Sequence, residues 1–311
     1  MPAGKEKQPR SLAAGKEYSY NEEKNCRSGA QGRSGIKRRV KMKKEIGFIG
    51  CGNMANAMIG GILASGALKP EQIIASNHTA PKLEKAKAQF GIEVTEDNHK
   101  VAGESQILVL SVKPQFYAQV IGEISGDVPA ETVVVTLAPG RSLEQLRALF
   151  GKDVKLIRSM PNTPALVREG MTALCPGHSV TPDELAKVQK LFSAFGKAEV
   201  VSERMMDAVV AVSGSSPAYV FMLIEAMADA AVMGGMPRDK AYTFAAQSVL
   251  GSAKMILETG RHPGDLKDMV CSPAGTTIEA VAALERGGFR GTVIDGMYAC
   301  MEKSKSMSAS N

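Results

Sequence analysis

The sequence predicts an α/β domain built on a doubly wound parallel sheet, followed by an all-α domain. Short apolar runs alternate with helical patterns over residues 46–160, as expected for parallel strands covered by helices on both faces. From residue 203 onward helical patterns dominate, and Gly and Pro separate them. With 311 residues, of which 44% are hydrophobic, the chain is long enough for about two domains of ~150 residues each.

The individual elements follow from apolar runs and from the Gly and Pro residues that bound them. In the first domain we predict strands over 46–49, 72–76, 92–95, 107–112, 132–137, 154–160 and 197–201, and helices over 54–63, 81–90, 114–124, 142–150 and 182–195. In the second domain we predict helices over 217–233, 239–257 and 277–286, with a turn over 260–264. The expected divisions are a basic tail (1–44), the α/β domain (45–202), the helical domain (203–305) and a short terminal segment (306–311).

The first predicted strand ends on a glycine-rich turn with the pattern GxGxxA. Gly50 permits the tight turn, Gly52 leaves the backbone open to a phosphate, and Ala55 lets the next helix lie close to the strand. The first amides of that helix, at Asn53 and Met54, have no intrahelical partner and can hold a phosphate together with the helix dipole. Strand, glycine turn and helix in this order predict a Rossmann-type dinucleotide site. The alternative is a glycine pair that serves only as a turn.

Three further segments are expected to meet at the same edge of the sheet, because ligands of doubly wound sheets lie outside the carboxyl ends of the strands. These segments are 76–79, 111–114 and 160–164. The candidate cofactor residues within them are Ser76, Asn77, His78, Thr79, Val112, Lys113, Pro114 and Asn162. Lys113 and Asn162 fall near the nicotinamide half of the cofactor, where either side chain could instead only stabilise its turn.

The end of the second predicted strand distinguishes between the two nicotinamide cofactors. Folds that bind NAD usually carry Asp or Glu there, bonded to the ribose hydroxyls. Here Ser76 is followed by three polar residues and, shortly after, by Lys82. Hydrogen-bond donors and a cation suit a 2′-phosphate that a carboxylate would repel, so the sequence favours NADPH, with NADH possible. His78 could also be a solvated loop residue.

The formal charge of +6 is distributed unevenly. Residues 1–44 hold 13 Lys/Arg against four Glu, so the rest of the chain is mildly acidic and the basic pI comes from the tail. We expect this tail to be disordered. A non-native origin is an alternative to a functional tail, because Met42 stands directly before Lys43-Lys44 and the first strand, where a natural start would fall. We expect no nucleic-acid partner.

The cysteines and histidines are scattered without CxxC or metal-ligand spacing. This predicts no disulfide framework, no metal site and a reducing cytoplasm. Cys51 lies near a helix start, where a thiol pKa can fall, although a small buried turn residue is the simpler interpretation. The most apolar segment, 209–236, is interrupted by polar and charged residues, so no membrane span is predicted.

In the helical domain, the predicted helix 217–233 is apolar on nearly every face, apart from a narrow stripe of Glu225 and Asp229. Ser215-Ser216-Pro217 is its expected start, with a serine cap followed by a proline in the first turn. A helix that is apolar all round must be buried. Because about a hundred residues cannot fully cover it, we infer a homodimer; the alternative is a core helix packed on the first domain.

A second informative segment lies at 266–279. Thr276 with Glu279 matches a capping box, which would occupy the hydroxyl of Thr276 and leave that of Thr277 free. With Gly275 exposing neighbouring amides and Ser272 adding a hydroxyl, this helix start suits a small carboxylate. A helix start of purely structural origin is the alternative.

Five motifs together resemble the pyrroline-5-carboxylate reductase family over residues 45–305: GFIGCGNMANAMIGG, SVKPQ, MPNTPALVREG, SGSSPAY and LKDMVCSPAGTTIEAVAALERGGFR. The resemblance implies NAD(P)H-dependent reduction of the cyclic imine 1-pyrroline-5-carboxylate to L-proline, the last step of proline biosynthesis. It also implies a helical domain that interlocks with its twin, in some members within a larger ring of dimers. By resemblance, substrate carboxylate binds at Ser272, Gly275, Thr276 and Thr277, with Thr277 near the imine nitrogen.

The residues are compatible with this chemistry, since hydride transfer mainly requires that the cofactor and the imine be held in contact. No His, Asp or Glu falls between Ser272 and Thr277 as a general acid. We therefore expect solvent or the protonated substrate to supply the proton and Thr277 to orient the imine. Two alternatives are a related NADP-dependent dehydrogenase of a small hydroxy or imino acid and a non-catalytic NADP-binding dimer.

Overall fold

An eight-stranded sheet forms the first part of the chain, in a computed structural model that describes residues 44–137 and 140–309. Its strands are β1 (Lys44–Ile49), β2 (Ile73–Ser76), β3 (Glu93–Thr95), β4 (Ser105–Leu110), β5 (Val133–Thr136), β6 (Lys155–Met160), β7 (Gly170–Pro176) and β8 (Gly196–Val200). They lie in the order β3-β2-β1-β4-β5-β6-β7-β8. From β1 the chain adds β2 and β3 on one side, and it then returns to add β4 and β5 on the other side. The crevice for a ligand therefore falls at the carboxyl ends of β1 and β4, where this order switches.

Twelve α-helices accompany the strands within the described part of the chain. Those around the sheet are α1 (Asn53–Ala64), α2 (Ala80–Phe90), α3 (Asn98–Glu104), α4 (Tyr117–Ile124), α5 (Leu143–Phe150) and α6 (Pro182–Phe192). Those of the helical part are α7 (Met206–Val209), α8 (Ser216–Met233), α9 (Arg238–Thr259), α10 (Pro263–Val270), α11 (Thr276–Arg286) and α12 (Phe289–Ala309). This confirms the predicted fold class; the predicted tail lies almost wholly outside the described residues.

The core consists of two apolar layers, one on each face of the sheet. Ile46 and Phe48 of β1 face the layer to which α1, α2 and α6 contribute. Ile49, next along the same strand, faces the layer formed with α3, α4 and α5. This alternation along a strand that is buried on both sides explains why the strands appear in the sequence as continuous apolar runs.

The structure corrects several sequence-based expectations. The sheet is not wholly parallel, because the unpredicted strand β7 runs antiparallel to β6. Helices α3, α7, α10 and α12 are also absent from the predicted ranges. For α10 a start signal exists at His262 and Pro263, since the His262 side chain accepts the Gly264 amide. The expected serine cap of α8 is also wrong: Ser215 is the N-cap but makes no side-chain cap hydrogen bond, and the Ser216 hydroxyl donates back to the Val212 carbonyl at 2.8 Å. A π-helical turn over Val210–Gly214 directly precedes this helix start.

Helix α8 packs against α9 but remains largely exposed on the single chain. Ala228 is its buried residue, whereas Phe221 and Met222 are 63% and 68% exposed. The alternative in which this helix is tucked against the first domain is therefore wrong. Apolar side chains of α9 and α12, including Leu257 and Tyr298, are also exposed, so the helical part presents a large apolar surface for a partner.

Candidate active site

The glycine turn after β1 has the geometry that the sequence predicts. Gly50 has φ +96°, and a Cβ at this position would lie 2.9 Å from the carbonyl carbon and oxygen of Ser111. The Gly50 amide donates to the Ser76 carbonyl at 3.0 Å, and the Ser111 hydroxyl donates to the Gly50 carbonyl at 2.6 Å. The turn is thus fixed from both neighbouring strands, and only glycine fits without strain.

Gly52 differs from Gly50 because it faces open space. It is the N-cap of α1, with φ −93° and ψ −171°, and a Cβ built on it meets no heavy atom within 4 Å. Its carbonyl accepts the Asn56 amide, which leaves the amides of Asn53, Met54 and Ala55 without an acceptor within α1. No acidic residue lies in this first turn, so the helix start can accept an anion.

Cys51, between the two glycines, is a buried turn residue. Its thiol donates to Asn56 Oδ1 at 3.2 Å. Burial raises the pKa of Cys51, and the charge of Lys82 only partly opposes this effect. The thiol therefore stays protonated, and the simpler interpretation of Cys51 as a space-filling residue applies.

At the end of β2 the four candidate residues divide into two groups. Ser76 is fully buried, and its hydroxyl donates to Asn98 Oδ1 at 2.6 Å. Asn77 is half-buried and accepts the Thr79 amide at 3.0 Å, while His78 and Thr79 are exposed. The accessible polar surface here comes from residues 77–79. Ser76 instead stabilises the end of β2 through its buried hydrogen bond to Asn98. Asn98, which holds Ser76, was not singled out from the sequence.

The segment after β4 reaches the same edge of the sheet through the Ser111 contact with the glycine turn. Val112 is half-buried and within reach of the turn, since a Cβ on Gly50 would lie 3.0 Å from Val112 Cγ1. Lys113 is exposed, and Pro114 opens a 3₁₀ turn over Pro114–Phe116. The segment after β4 thus brings Val112, Lys113 and Pro114 to the crevice edge, where Lys113 is the exposed residue.

Asn162, after β6, is 8% exposed and bonded through both ends of its side chain. Its Oδ1 accepts the Met171 amide at 2.8 Å, and its Nδ2 donates to the Ser213 carbonyl at 3.0 Å. This geometry favours the turn-stabilising alternative for Asn162 that the sequence left open.

The threonine loop between α10 and α11 is a tight turn followed by a helix start. The Gly275 amide donates to the Ser272 carbonyl at 3.1 Å, and Ala274 between them has φ +55°. A Cβ on Gly275 would lie 2.3 Å from Ser272 Oγ, so a larger residue here would displace the Ser272 hydroxyl. Gly275 is the N-cap, and Thr276 is already the first helical residue.

The predicted capping box of Thr276 with Glu279 is therefore wrong, because a capping side chain must belong to the residue before the helix. In the described part of the chain neither Thr276 nor Thr277 has a side-chain hydrogen bond, so both hydroxyls are available. Thr277 is half-buried and Thr276 exposed. The free amides at the start of α11 and the hydroxyls beside them suit a carboxylate.

Helix α11, which carries the threonine loop, packs on α12. Among the described residues, no strand of the sheet and no part of α1 makes an extensive contact with α10 or α11. Within one chain, the helices that flank the threonine loop therefore have no extensive contact with β1 or α1, which flank the glycine turn.

Comparisons with known proteins give a family match for the helical part of the chain and another for the first part of the sheet domain. A family described as "Pyrroline-5-carboxylate reductase dimerisation" matches residues 203–307, and one described as "NADP oxidoreductase coenzyme F420-dependent" matches residues 45–140. A pyrroline-5-carboxylate reductase of Escherichia coli is 55% identical over 269 residues, which cover 86% of this chain and 100% of that protein.

Two solved structures are similar along most of their length. A pyrroline-5-carboxylate reductase from Coxiella burnetii aligns with a TM-score of 0.80 at 35% identity, covering 86% of this chain and 99% of the other. A Plasmodium falciparum pyrroline carboxylate reductase with NADP bound aligns with a TM-score of 0.77 at 29% identity, with the same coverage.

Proposed function

The chain belongs to the pyrroline-5-carboxylate reductase family, and we propose that its active site forms where the glycine turn of one copy meets the threonine loop of another. The reaction is the NAD(P)H-dependent reduction of 1-pyrroline-5-carboxylate to L-proline, the last step of proline biosynthesis. The single observation that carries the shared site is that α11 packs on α12 and makes no extensive contact with the sheet domain of its own chain.

We propose that the pyrophosphate of the cofactor lies on the amides of Asn53 and Met54, at the opening that Gly52 leaves. The adenosine ribose then falls at the end of β2, where Asn77, His78 and Thr79 are accessible. The absence of a carboxylate at this position supports NADPH over NADH. A ratio of kcat/KM for the two cofactors tests this preference, and a value near or below one would contradict it.

On the substrate side, the free amides at the start of α11 and the Ser272 hydroxyl are proposed to bind the carboxylate of the imino acid. The hydroxyl of Thr277 has no partner among the described residues, so it can hydrogen-bond the imine nitrogen. A hydroxyl is a poor acid, and therefore solvent or an already protonated imine supplies the proton. The reduced nicotinamide supplies the hydride when the cofactor is bound, and Thr277 fixes the direction of approach.

Substitution of Thr277 tests this role. We expect Thr277→Ala to lower kcat strongly, because a misplaced imine loses much of the benefit of orientation, up to about 10²-fold. The dissociation constant of NADPH, measured by fluorescence titration, should stay unchanged because the cofactor lies on a different part of the fold. An unchanged kcat would remove Thr277 from the mechanism.

Mixed dimers test whether two chains share the site. A dimer with one Gly52→Ala chain and one Thr277→Ala chain, purified through two different tags, would contain one intact and one doubly defective site if the sites are shared. It should then recover about half of the wild-type activity. If each site lies within one chain, both sites carry a defect, and the mixed dimer stays as inactive as its parents.

The reciprocal dimer is the matched control. A wild-type chain paired with a chain that carries both substitutions keeps one intact site if sites lie within one chain, and none if they are shared. The two dimers therefore give opposite results under the two arrangements. If wild-type enzyme left NADPH absorbance flat with pyrroline-5-carboxylate, the reaction itself would be excluded.

We also propose a cytoplasmic location and a homodimer that can assemble into a ring. Among the described residues the helical run Glu203–Met233 is long and apolar enough to cross a membrane. An interface helix meets the same criterion, and α8 carries Glu225 and Asp229 near its middle. The four cysteines within the described residues are free, which fits a reducing compartment. Light scattering of the purified enzyme gives the number of subunits.

A further inference from the structure

Asn162 joins the sheet domain to the helical domain through its side-chain amide. It lies at the start of the loop after β6, at the carboxyl edge of the sheet where the cofactor is proposed to bind. Its Oδ1 accepts from the Met171 amide and its Nδ2 donates to the Ser213 carbonyl. Since one partner is a donor and the other an acceptor, this network fixes the orientation of the amide.

The Ser213 carbonyl needs such a partner because of the residue four positions later. The amide four residues later, the partner in an α-helix, is missing because residue 217 is a proline. The amide five residues later, the partner in the π-helical turn that contains Ser213, belongs to Ala218 and donates to the Ser215 carbonyl at 3.0 Å. The chain forms a π-helical turn just before α8, in which the Ser215 amide donates to the Val210 carbonyl at 2.8 Å. A buried carbonyl left unpaired would be costly, and Asn162 from the other domain supplies the missing donor.

We propose that Asn162 is a positioning residue. Its amide holds the loop after β6 against the turn before α8, and it thereby fixes the position of the nicotinamide end of the cofactor site relative to the helical domain. This proposal rests on the proposed function, in which the helical domain forms the dimer and carries the substrate loop. Hydride transfer is sensitive to displacements of the order of 1 Å. Asn162 thus acts on the reaction through Ser213, without contacting the cofactor.

Asn162→Asp removes the donor and keeps the shape. One carboxylate oxygen still accepts from the Met171 amide, but the other faces the Ser213 carbonyl oxygen and repels it. We expect kcat to fall about 10- to 100-fold, while the NADPH dissociation constant changes less than twofold. A cofactor-binding role for Asn162 predicts instead that NADPH affinity falls together with kcat, and that result would overturn the proposal.

The pH profile distinguishes positioning from general loss of structure. Once protonated, the carboxyl group that Asn162→Asp introduces can again donate to the Ser213 carbonyl. The ratio of variant to wild-type kcat should therefore rise as pH falls, within the range where both proteins stay folded. A ratio that is independent of pH would contradict the role of the donated hydrogen bond.

Thr181→Ala is the matched control for stability. Thr181 caps α6 by accepting the Glu184 amide, and its loss should lower the melting temperature without affecting the contact between domains. If Thr181→Ala lowers kcat per folded molecule as much as Asn162→Asp does, the effect of Asn162 is only structural.

Pro217→Ala supplies the second test. An alanine amide at position 217 can donate to the Ser213 carbonyl, so Asn162→Asp should cost less in that background than in the wild type. Equal losses in both backgrounds would overturn the link between Pro217 and Asn162. Because all these ratios refer to wild-type turnover of pyrroline-5-carboxylate, an inactive wild type would reject the proposed function separately from the role of Asn162.

Discussion

Gly52→Ala should separate cofactor binding from folding stability. The added methyl group meets no heavy atom within 4 Å, and the backbone at φ −93°, ψ −171° suits alanine. The same methyl group would occupy the space through which a pyrophosphate must approach the amides of Asn53 and Met54. The chain without cofactor should accept the substitution, and the complex with cofactor should not.

The expected change in stability is small because two effects oppose each other. Alanine is a poorer N-cap than glycine by roughly 0.5–1 kcal/mol. Replacing glycine by alanine at a compatible conformation stabilises by about 0.4–1 kcal/mol through the unfolded chain. The free energy of unfolding should therefore change by less than about 0.5 kcal/mol. A hundredfold loss of NADPH affinity corresponds to about 2.7 kcal/mol, well outside that range.

Two measurements check the prediction: denaturant unfolding without cofactor, and a fluorescence titration with NADPH. Gly122→Ala is the matched control, because Gly122 lies in α4, also has no atom within 4 Å of its Cβ position and is exposed. That variant should gain up to about 1 kcal/mol and bind NADPH normally. If Gly52→Ala bound NADPH as tightly as the wild type, the phosphates would not lie at the start of α1.

Three further predictions concern stability. Gly50→Ala should cost about 2–4 kcal/mol in denaturant unfolding, since φ is +96° and the new methyl group would contact the Ser111 backbone. Ala274→Gly should raise stability by about 0.5–1 kcal/mol in the same assay, because glycine relieves the positive φ. Hydrogen-bonded ion pairs with Lys100, first, and with Lys44 lower the pKa of Glu93 from 4.5 to about 2. A carboxyl group with a lowered pKa stabilises the folded state at pH values above its pKa in the unfolded chain, and this stabilisation is lost as the pH falls through its pKa in the folded state. The free energy of unfolding of the wild type should exceed that of Glu93→Gln by roughly 1 kcal/mol near neutral pH. This value allows for solvent screening, since the Glu93 side chain is 36% exposed. The difference should vanish as the pH falls from 4.5 towards 2.

The parallel strands could be predicted because they are buried on both faces. β1, β4 and β5 have apolar side chains in both layers of the core, so each appears as an unbroken apolar run. The glycine turn after β1 was predictable for a similar reason. The turn needs a positive φ at position 50 and open space at position 52. Both needs arise within a few residues of sequence, and glycine satisfies both.

Features that depend on distant partners could not be predicted. Asn98, 22 residues from Ser76, removes the Ser76 hydroxyl from the crevice. The donor of Asn162 reaches Ser213, 51 positions away, and only the absent amide of Pro217 hints that a partner is needed. β7 did carry a local signal, an apolar stretch between Gly170 and Pro176, but the sequence does not show that it turns antiparallel to β6.

The threonine loop shows how local and distant information combine. Thr276 with Glu279 fits the capping pattern, yet the turn at Ser272–Gly275 places the cap one residue earlier, at Gly275. That shift frees both threonine hydroxyls, where the capping box would have freed only Thr277. The sequence thus predicts the turn and the helix start, but one available hydroxyl fewer than the structure leaves.

The exposed apolar surface of the helical domain indicates how the threonine loop can reach a cofactor, because it favours pairing with a second chain. Met233 is 89% exposed, and exposed apolar side chains continue along α9 and α12; a monomer rarely presents so large an apolar surface to water. A twofold axis that covers α8 with its own copy brings a second helical domain, with its own threonine loop, next to the first chain. Because the helices on either side of that loop have no extensive contact with the sheet of their own chain, we expect the loop to meet the nicotinamide in the partner's crevice. Dimerisation would then be part of the catalytic geometry, and a monomeric variant should bind NADPH but not reduce the imine.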